Sequence, residues 1–219
     1  MRYFLIFFIL VLFANCSSVP KEYLVSDDIC YYNDPIFKIS KEELSLDKEF
    51  LFLLKKDTII VNNKSFKSEF MYSKDEYITN KQTNKQINIA KYIRYDHRGK
   101  IKWVEFKYLN GYKNIFKDFD YNDKSEVAKI IDYEKGYNIC WAEAIAIVKK
   151  IAKKDIEKYE VTGFNLSHNN LNEFPKAKPE WQVTLDGNEE YELKDVKVYR
   201  IDGVTGKFLR TTKITTSYD

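Results

Sequence analysis

Four tyrosines, Tyr95, Tyr108, Tyr121 and Tyr133, recur about every 13 residues, and a cluster of turn-forming residues follows each of them. The clusters are Asp96-His97-Arg98-Gly99-Lys100, Leu109-Asn110-Gly111-Tyr112-Lys113, Asn122-Asp123-Lys124 and Glu134-Lys135-Gly136. One strand plus one tight turn fills about this length. The runs 87–95, 101–108, 114–121 and 127–133 therefore read as consecutive strands of an antiparallel meander. The chain holds 17 Tyr and 15 Phe. Both residue types favour strands and bury large areas, so the composition points to a sheet-rich protein.

The signals differ on either side of this region. Residues 58–61 are β-branched, Asn62-Asn63-Lys64 is turn chemistry, and 65–72 alternate loosely, which predicts a hairpin. Periodicity leaves 42–54 open between helix and strand. The polar run 73–86 lacks a pattern and reads as loop. Past the meander, Asn138 reads as the cap of a helix. Trp141, Ala144, Ile145, Val148, Ile151 and Ala152 share one side of it. Lys149, Lys150, Lys153 and Lys154 load its last turns, where the helix dipole favours cations. Strands are expected at 159–166, at 181–185 with Trp181, Val183 and Leu185 toward the helix, and at 196–201 and 208–214. The last two flank the turn Asp202-Gly203-Val204-Thr205-Gly206-Lys207, in which Gly203 and Gly206 permit positive φ. The expected fold class is α+β: an antiparallel hairpin and meander region, then one helix packed on an antiparallel sheet.

The amino terminus carries export signals. Arg2 precedes the apolar run 3–14, which is shorter than the ~20 residues a membrane span needs. Leu12-Phe13-Ala14-Asn15-Cys16 resembles the lipobox of bacterial lipoproteins, with Phe13 and Asn15 departing from the commoner residues. The resemblance implies cleavage before Cys16 and acylation of its thiol. The membrane then becomes a partner through a lipid anchor. The location is the cell envelope, at the outer membrane or a periplasm-facing membrane surface. Residues 1–15 are the signal peptide and 16–47 a lipidated tether and lead-in segment. With Cys16 lipidated, Cys30 and Cys140 remain as an even pair in an oxidising compartment and are expected to form a disulfide. The alternative is two buried thiols, since Cys140 shares a helix face with Ala144, Ile147 and Ile151.

Residues 48–136 form the hairpin-rich region, and the tyrosine-and-glycine spacing there is similar to the hairpin repeats of some bacterial surface and antitoxin-like proteins. Residues 137–219 resemble a PepSY domain. The residues that carry this resemblance are Ala142-Glu143-Ala144-Ile145, Pro179-Glu180-Trp181-Gln182-Val183 and the stretch from Tyr199 through Asp202, Gly203 and Gly206 to Phe208. It covers a little over a third of the chain, and the linker 167–178 is longer than a minimal copy carries. It implies a small α+β domain with an inhibitory or ligand-binding role, and it brings no catalytic residues.

No residue pattern points to a reaction. His97 and His168 are the only histidines, and no H-x-x-x-H or C-x-x-C spacing accompanies them. Both read as surface histidines, and no metal site is expected. No G-x-S-x-G nucleophile elbow or glycine-rich phosphate loop occurs, so neither a catalytic residue nor a cofactor is assigned. The pairs Asp27-Asp28 and Glu189-Glu190 read as solvated. Net charge is +3 with the two signs interspersed, which argues against nucleic acid as a partner. Trp141 and Trp181 read as core. Trp103 alternates with Glu105 and Lys107 and is the candidate binding residue. The expected function is that of a non-catalytic envelope lipoprotein that binds a protein, peptide or surface polymer. One alternative is an inhibitor or immunity protein against a secreted protease or toxin, and another is a hydrolase without a recognisable motif.

Overall fold

The computed structural model describes residues 30–55, 58–62, 66–73, 77–186 and 196–214. Cys16 and the rest of the export signal, Asp27-Asp28 and Glu189-Glu190 lie outside the described residues.

Among the described residues there are twelve strands and three short α-helices. The strands are β1 (Ile59–Asn62), β2 (Lys67–Tyr72), β3 (Ile78–Asn84), β4 (Ile89–Tyr95), β5 (Ile101–Tyr108), β6 (Lys113–Asn114), β7 (Lys117–Tyr121), β8 (Val127–Asp132), β9 (Gly163–His168), β10 (Glu180–Asp186), β11 (Val196–Asp202) and β12 (Phe208–Ile214). The helices are α1 (Lys48–Leu54), α2 (Trp141–Ile151) and α3 (Lys153–Lys158). One sheet of eight strands runs in the order β1-β2-β3-β4-β5-β7-β8, with β6 beside β5, and a second of four runs β12-β11-β10-β9.

This mostly-β architecture of two antiparallel sheets corrects the α+β expectation and, with it, the PepSY-like domain of one helix on a sheet. Helix is confined to the short α1 and to 141–158, where it breaks at Ala152 into two short helices, while strand-forming residues occupy most of the rest. The chain divides into two compact units: a meander unit, Cys30–Lys135 with Asn165–Ala177, and a carboxy-terminal unit whose described residues are 136–164, 178–186 and 196–214.

In the meander unit each of three repeated tyrosines is the last residue of a strand, and Tyr133 directly follows β8. Tyr95, Tyr108 and Tyr121 are buried. The polar run expected as loop contains β3. Its alternate residues Ile78, Asn80, Gln82 and Asn84 are buried on the face they share with Ile93, Lys91 and Ile89. That face is polar where a strand pattern would show aliphatic residues, so the alternation escapes a hydrophobicity reading. The expected strand 114–121 is split into β6 and β7. Phe116 takes φ +58 there and packs its ring with Tyr32, Phe37 and Phe106 at centroid distances of 5.0, 5.3 and 5.4 Å. A non-glycine residue in that region is strained and is held there by its surroundings.

Residues 34–54 cover this face of the sheet. Asp34 caps a 3-10 turn by accepting from Ile36 N at 2.9 Å, which sets Ile36 and Phe37 into the core. Asp47 caps α1 by accepting from Phe50 N at 2.7 Å. Between these turns the covering segment is fastened by polar contacts. Lys91, 1 % exposed, donates to Glu43 Oε1 and to the Lys38 carbonyl at 2.7 Å each, and Asn84 donates to Asp34 at 3.1 Å.

In the carboxy-terminal unit Trp181 pairs with Ile201 and Val183 with Tyr199, and all four are buried on one face of the sheet. Helix α2 packs against β10, and Trp181 donates its indole N–H to the Ile139 carbonyl at 2.7 Å. Trp141 is also buried. The cap of α2 is Cys140, not Asn138. The Glu143 carboxylate reaches back to accept from Cys140 N at 2.8 Å, while Asn138 N donates to Gly203 O at 2.9 Å and so belongs to the turn that precedes the helix. Cys140 is disulfide-bonded to Cys30.

The Asp202 turn is built as an Asx loop, with Asp202 Oδ1 accepting from Val204 N at 3.0 Å and Thr205 N at 2.8 Å. Gly206 has φ +69, the conformation that favours glycine. Gly203 does not share it, and its role is steric. The Tyr137 ring lies against it, and an added Cβ would meet Tyr137 Cε1 at 2.6 Å and Pro179 Cβ at 3.0 Å.

Candidate binding site

Strand alternation gives the meander sheet a second face, opposite the one covered by residues 34–54. Register places Lys81, Tyr92 and Glu105 in one row across β3, β4 and β5, and Thr79, Arg94 and Trp103 in the next. Trp103 therefore stands away from the filled core and is half-buried. The Arg94 guanidinium lies 4.6 Å from its ring centroid and is exposed. Lys81 and Lys107 place their ammonium groups 5.9 and 5.3 Å from the Tyr92 ring. Aromatic faces attract cations at such distances.

Toward β7 the face becomes acidic and closed. Glu105 is buried and holds Lys107 at 3.1 Å. Asp118 is 1 % exposed. Its Oδ2 accepts from Tyr133 O–H at 2.9 Å, and its Oδ1 has no hydrogen-bond partner among the described residues. Burial pushes the Asp118 carboxyl up to about 7, against the hydrogen bond from Tyr133. Burial likewise raises Tyr133, to about 12.

Residues 165–177 lie over this end. His168 Nε2 is 2.9 Å from the Asn114 carbonyl, its Nδ1 is 3.2 Å from the Asn169 carbonyl, and its ring meets Tyr133 at a centroid distance of 6.4 Å. Asn172 donates to the Asp132 carbonyl at 2.9 Å. His168 is thus buried, which corrects the surface reading, and burial holds its pKa below the usual histidine value. His97 is exposed. A polar sequence context, Ser167-His168-Asn169-Asn170, masks the burial of His168 because its partners are backbone carbonyls.

The sequence singled out Trp103 but not Tyr92, Arg94 or Asp118. Reflecting the chain about the turn 96–100 pairs Tyr95 with Ile101, but Arg94 meets Trp103 only through the register shift between Arg94 and Tyr95, which the spacing of the tyrosines does not contain. Asp118 left no signal, because a lone aspartate in a charged strand gives no sign of burial and its partner Tyr133 is reached only through the β7–β8 pairing. Cys30 and Cys140 are joined in the disulfide. Trp141, Trp181, Asp202, Gly203 and Gly206 serve the core and turn of the carboxy-terminal unit, as described above. Compared with known proteins, the chain matches no family model and no curated sequence.

Proposed function

We propose that the chain is a non-catalytic binding protein of the cell envelope, anchored by acylated Cys16, which takes a peptide or protein partner on the open face of the meander sheet. The observation that supports the binding role is the Arg94–Trp103 stack. One face of the sheet is filled by residues 34–54, whereas at the centre of the other face an exposed guanidinium and two aromatic rings remain available. Side chains of this kind are enriched at protein interfaces. The anchor is supported by the lipobox-like segment ending at Cys16.

Both parts are testable. Mass spectrometry of membrane-extracted protein is expected to show a diacylated peptide beginning at residue 16, and an unmodified thiol there removes the anchor. Crosslinking in intact envelopes is expected to join the wild-type chain to a partner that is lost in Trp103→Ala but kept in Lys124→Gln, a change on an exposed turn. Equal crosslinking in both variants removes the open face as the binding surface.

A further inference from the structure

We infer that two copies of the chain join edge to edge through β1, running antiparallel, with Ile60 on the two-fold axis. The pairing uses the rim of the meander sheet and is independent of the partner proposed for its open face.

The two edges of this sheet differ in protection. A bare edge strand offers unpaired N–H and C=O groups, and natural sheets blunt such edges with charges, bulges or covering chain. β8 has all three. Lys129 lies in its middle, its register against β7 shifts between Asp120 and Tyr121, and the Asp132 carbonyl accepts from Asn172. β1 has none of them among the described residues. It ends the strand order of the sheet, its residues Ile59, Ile60, Val61 and Asn62 carry no charge, and its pairing with β2 runs in unbroken register. Ile60 and Val61 are 54 and 45 % exposed. Further exposed apolar residues lie close to this edge. Ile60 shares a face with Met71, its diagonal neighbour on β2. On the other face Phe50 of α1 packs on Phe70, which stands opposite Ile59, and Phe52 and Leu53 of the same helix are exposed.

The charge pattern selects the occupant. Across a two-fold axis a strand meets its own reverse, so a charge near the axis faces its copy, and like charges directly opposite destabilise a pair. β1 is free of that penalty. With Ile60 on the axis, Ile59 stands opposite the partner's Val61 and Thr58 opposite the partner's Asn62. Apolar then meets apolar, polar meets polar, and each face of the sheet continues into the same face of the second copy. Sliding the two strands past one another shortens the overlap of residues 58–62, so this register is the longest available. The seam is short, whereas standard interfaces bury about 1,200–2,000 Å² in total. The dimer is therefore expected to form at high concentration and to dissociate on dilution.

The test uses the whole chain after the signal peptide with Cys16→Ser, which leaves no free thiol beside the Cys30–Cys140 disulfide. Ile60→Cys is then oxidised mildly. Directly opposed residues of an antiparallel pair have Cα atoms about 4.5–5.5 Å apart, inside the range of about 4.4–6.8 Å that a disulfide spans. A disulfide-linked dimer is expected to form about tenfold faster than with Ile130→Cys, a position of similar exposure on the protected edge. Sedimentation velocity from about 10 to about 500 µM is expected to show the Cys16→Ser chain passing from monomer to dimer. Ile60→Lys, shown to be folded by circular dichroism, is expected to stay monomeric, because two ammonium groups would meet on the axis. The inference is overturned if Ile60→Cys and Ile130→Cys crosslink alike, if the chain stays monomeric throughout, or if Ile60→Lys dimerises as its parent does. A monomeric chain that sediments with phospholipid vesicles, and no longer does so after Phe52→Ser, also overturns it and reassigns this end of the sheet to the membrane.

Discussion

The carboxy-terminal unit sets Trp181, Val183, Tyr199 and Ile201 on one face of its sheet, with α2 packed against β10, and the indole N–H of Trp181 is satisfied by the Ile139 carbonyl. The meander unit covers its own sheet with irregular chain, residues 34–54. Part of what lies beneath is polar: Asn80, Gln82, Asn84 and Lys91. Apolar burial is non-directional and tolerates small slips. A buried ammonium that needs both Glu43 and the Lys38 carbonyl tolerates very few, because any other placement leaves a charge without partners. The first unit is held mainly by area. In the second, polar contacts also set where the covering segment must lie.

The contrast can be broken most forcefully at Trp181. Trp181→Ala is expected to cost about 3–5 kcal/mol. Hydrogen exchange should accelerate in β10 and β11 while β4 and β5 keep their protection. Equal loss in both sheets would show that the units do not differ in this way. Next in size is Lys91→Ala, which removes the cation beside Glu43 and is expected to cost about 2–4 kcal/mol in urea unfolding, less than a fully buried pair because Glu43 retains some solvent and still accepts from Gln82 and Ser40 N. The double change Lys91→Met with Glu43→Leu should recover only part of that loss, because the buried Gln82 amide and Ser40 N then lose their acceptor. A neutral Lys91→Ala would mean that the covering segment is placed by apolar contacts alone.

Asp118 sharpens the comparison through pH. Its folded pKa, about 7, lies above the ordinary value of 3.8, so the folded state holds this proton more tightly than the unfolded chain does. Its stabilising contribution is fully present below about pH 4 and is lost as pH rises through 7. Asp118→Asn removes this dependence. Relative to wild type, the variant is expected to gain about 2–4 kcal/mol between pH 4 and pH 8. The depressed His168 acts oppositely, costing stability as pH falls below 6.5, but it is common to both proteins and cancels in the difference. Parallel pH profiles for the two proteins would place Asp118 in contact with solvent. The smallest effect is expected from Gly206→Val. It forces a β-branched residue to positive φ at a cost of about 1–2 kcal/mol, measured as a lower melting temperature of the carboxy-terminal sheet.

Legibility in the sequence followed the kind of burial. Strands that end in a repeated tyrosine could be read from spacing, because an aromatic strand end and a turn cluster are both local signals. β5 lies at 101–108 for that reason. β3 could not be read, because amides occupy its inward positions and hydrophobic periodicity is blind to them. The α+β class failed because one clear helical stripe was given the weight of a domain, although α2 has only 11 residues. Of the candidate site, Trp103 was visible as an unplaced indole. Arg94 became meaningful only with register, Asp118 only with the contact to Tyr133 from the end of the next strand, and His168 only with tertiary contact across 54 residues of chain.

The chain supplies residues 165–177 to the meander unit only after it has built α2 and α3 of the other unit. The two are thus interleaved along the polypeptide, and no single scissors cut yields an intact half. A fragment ending at residue 135 would lack His168 and Asn172 and with them the contacts to Asn114, Tyr133 and Asp132, so neither half can be transplanted or shuffled as a cassette.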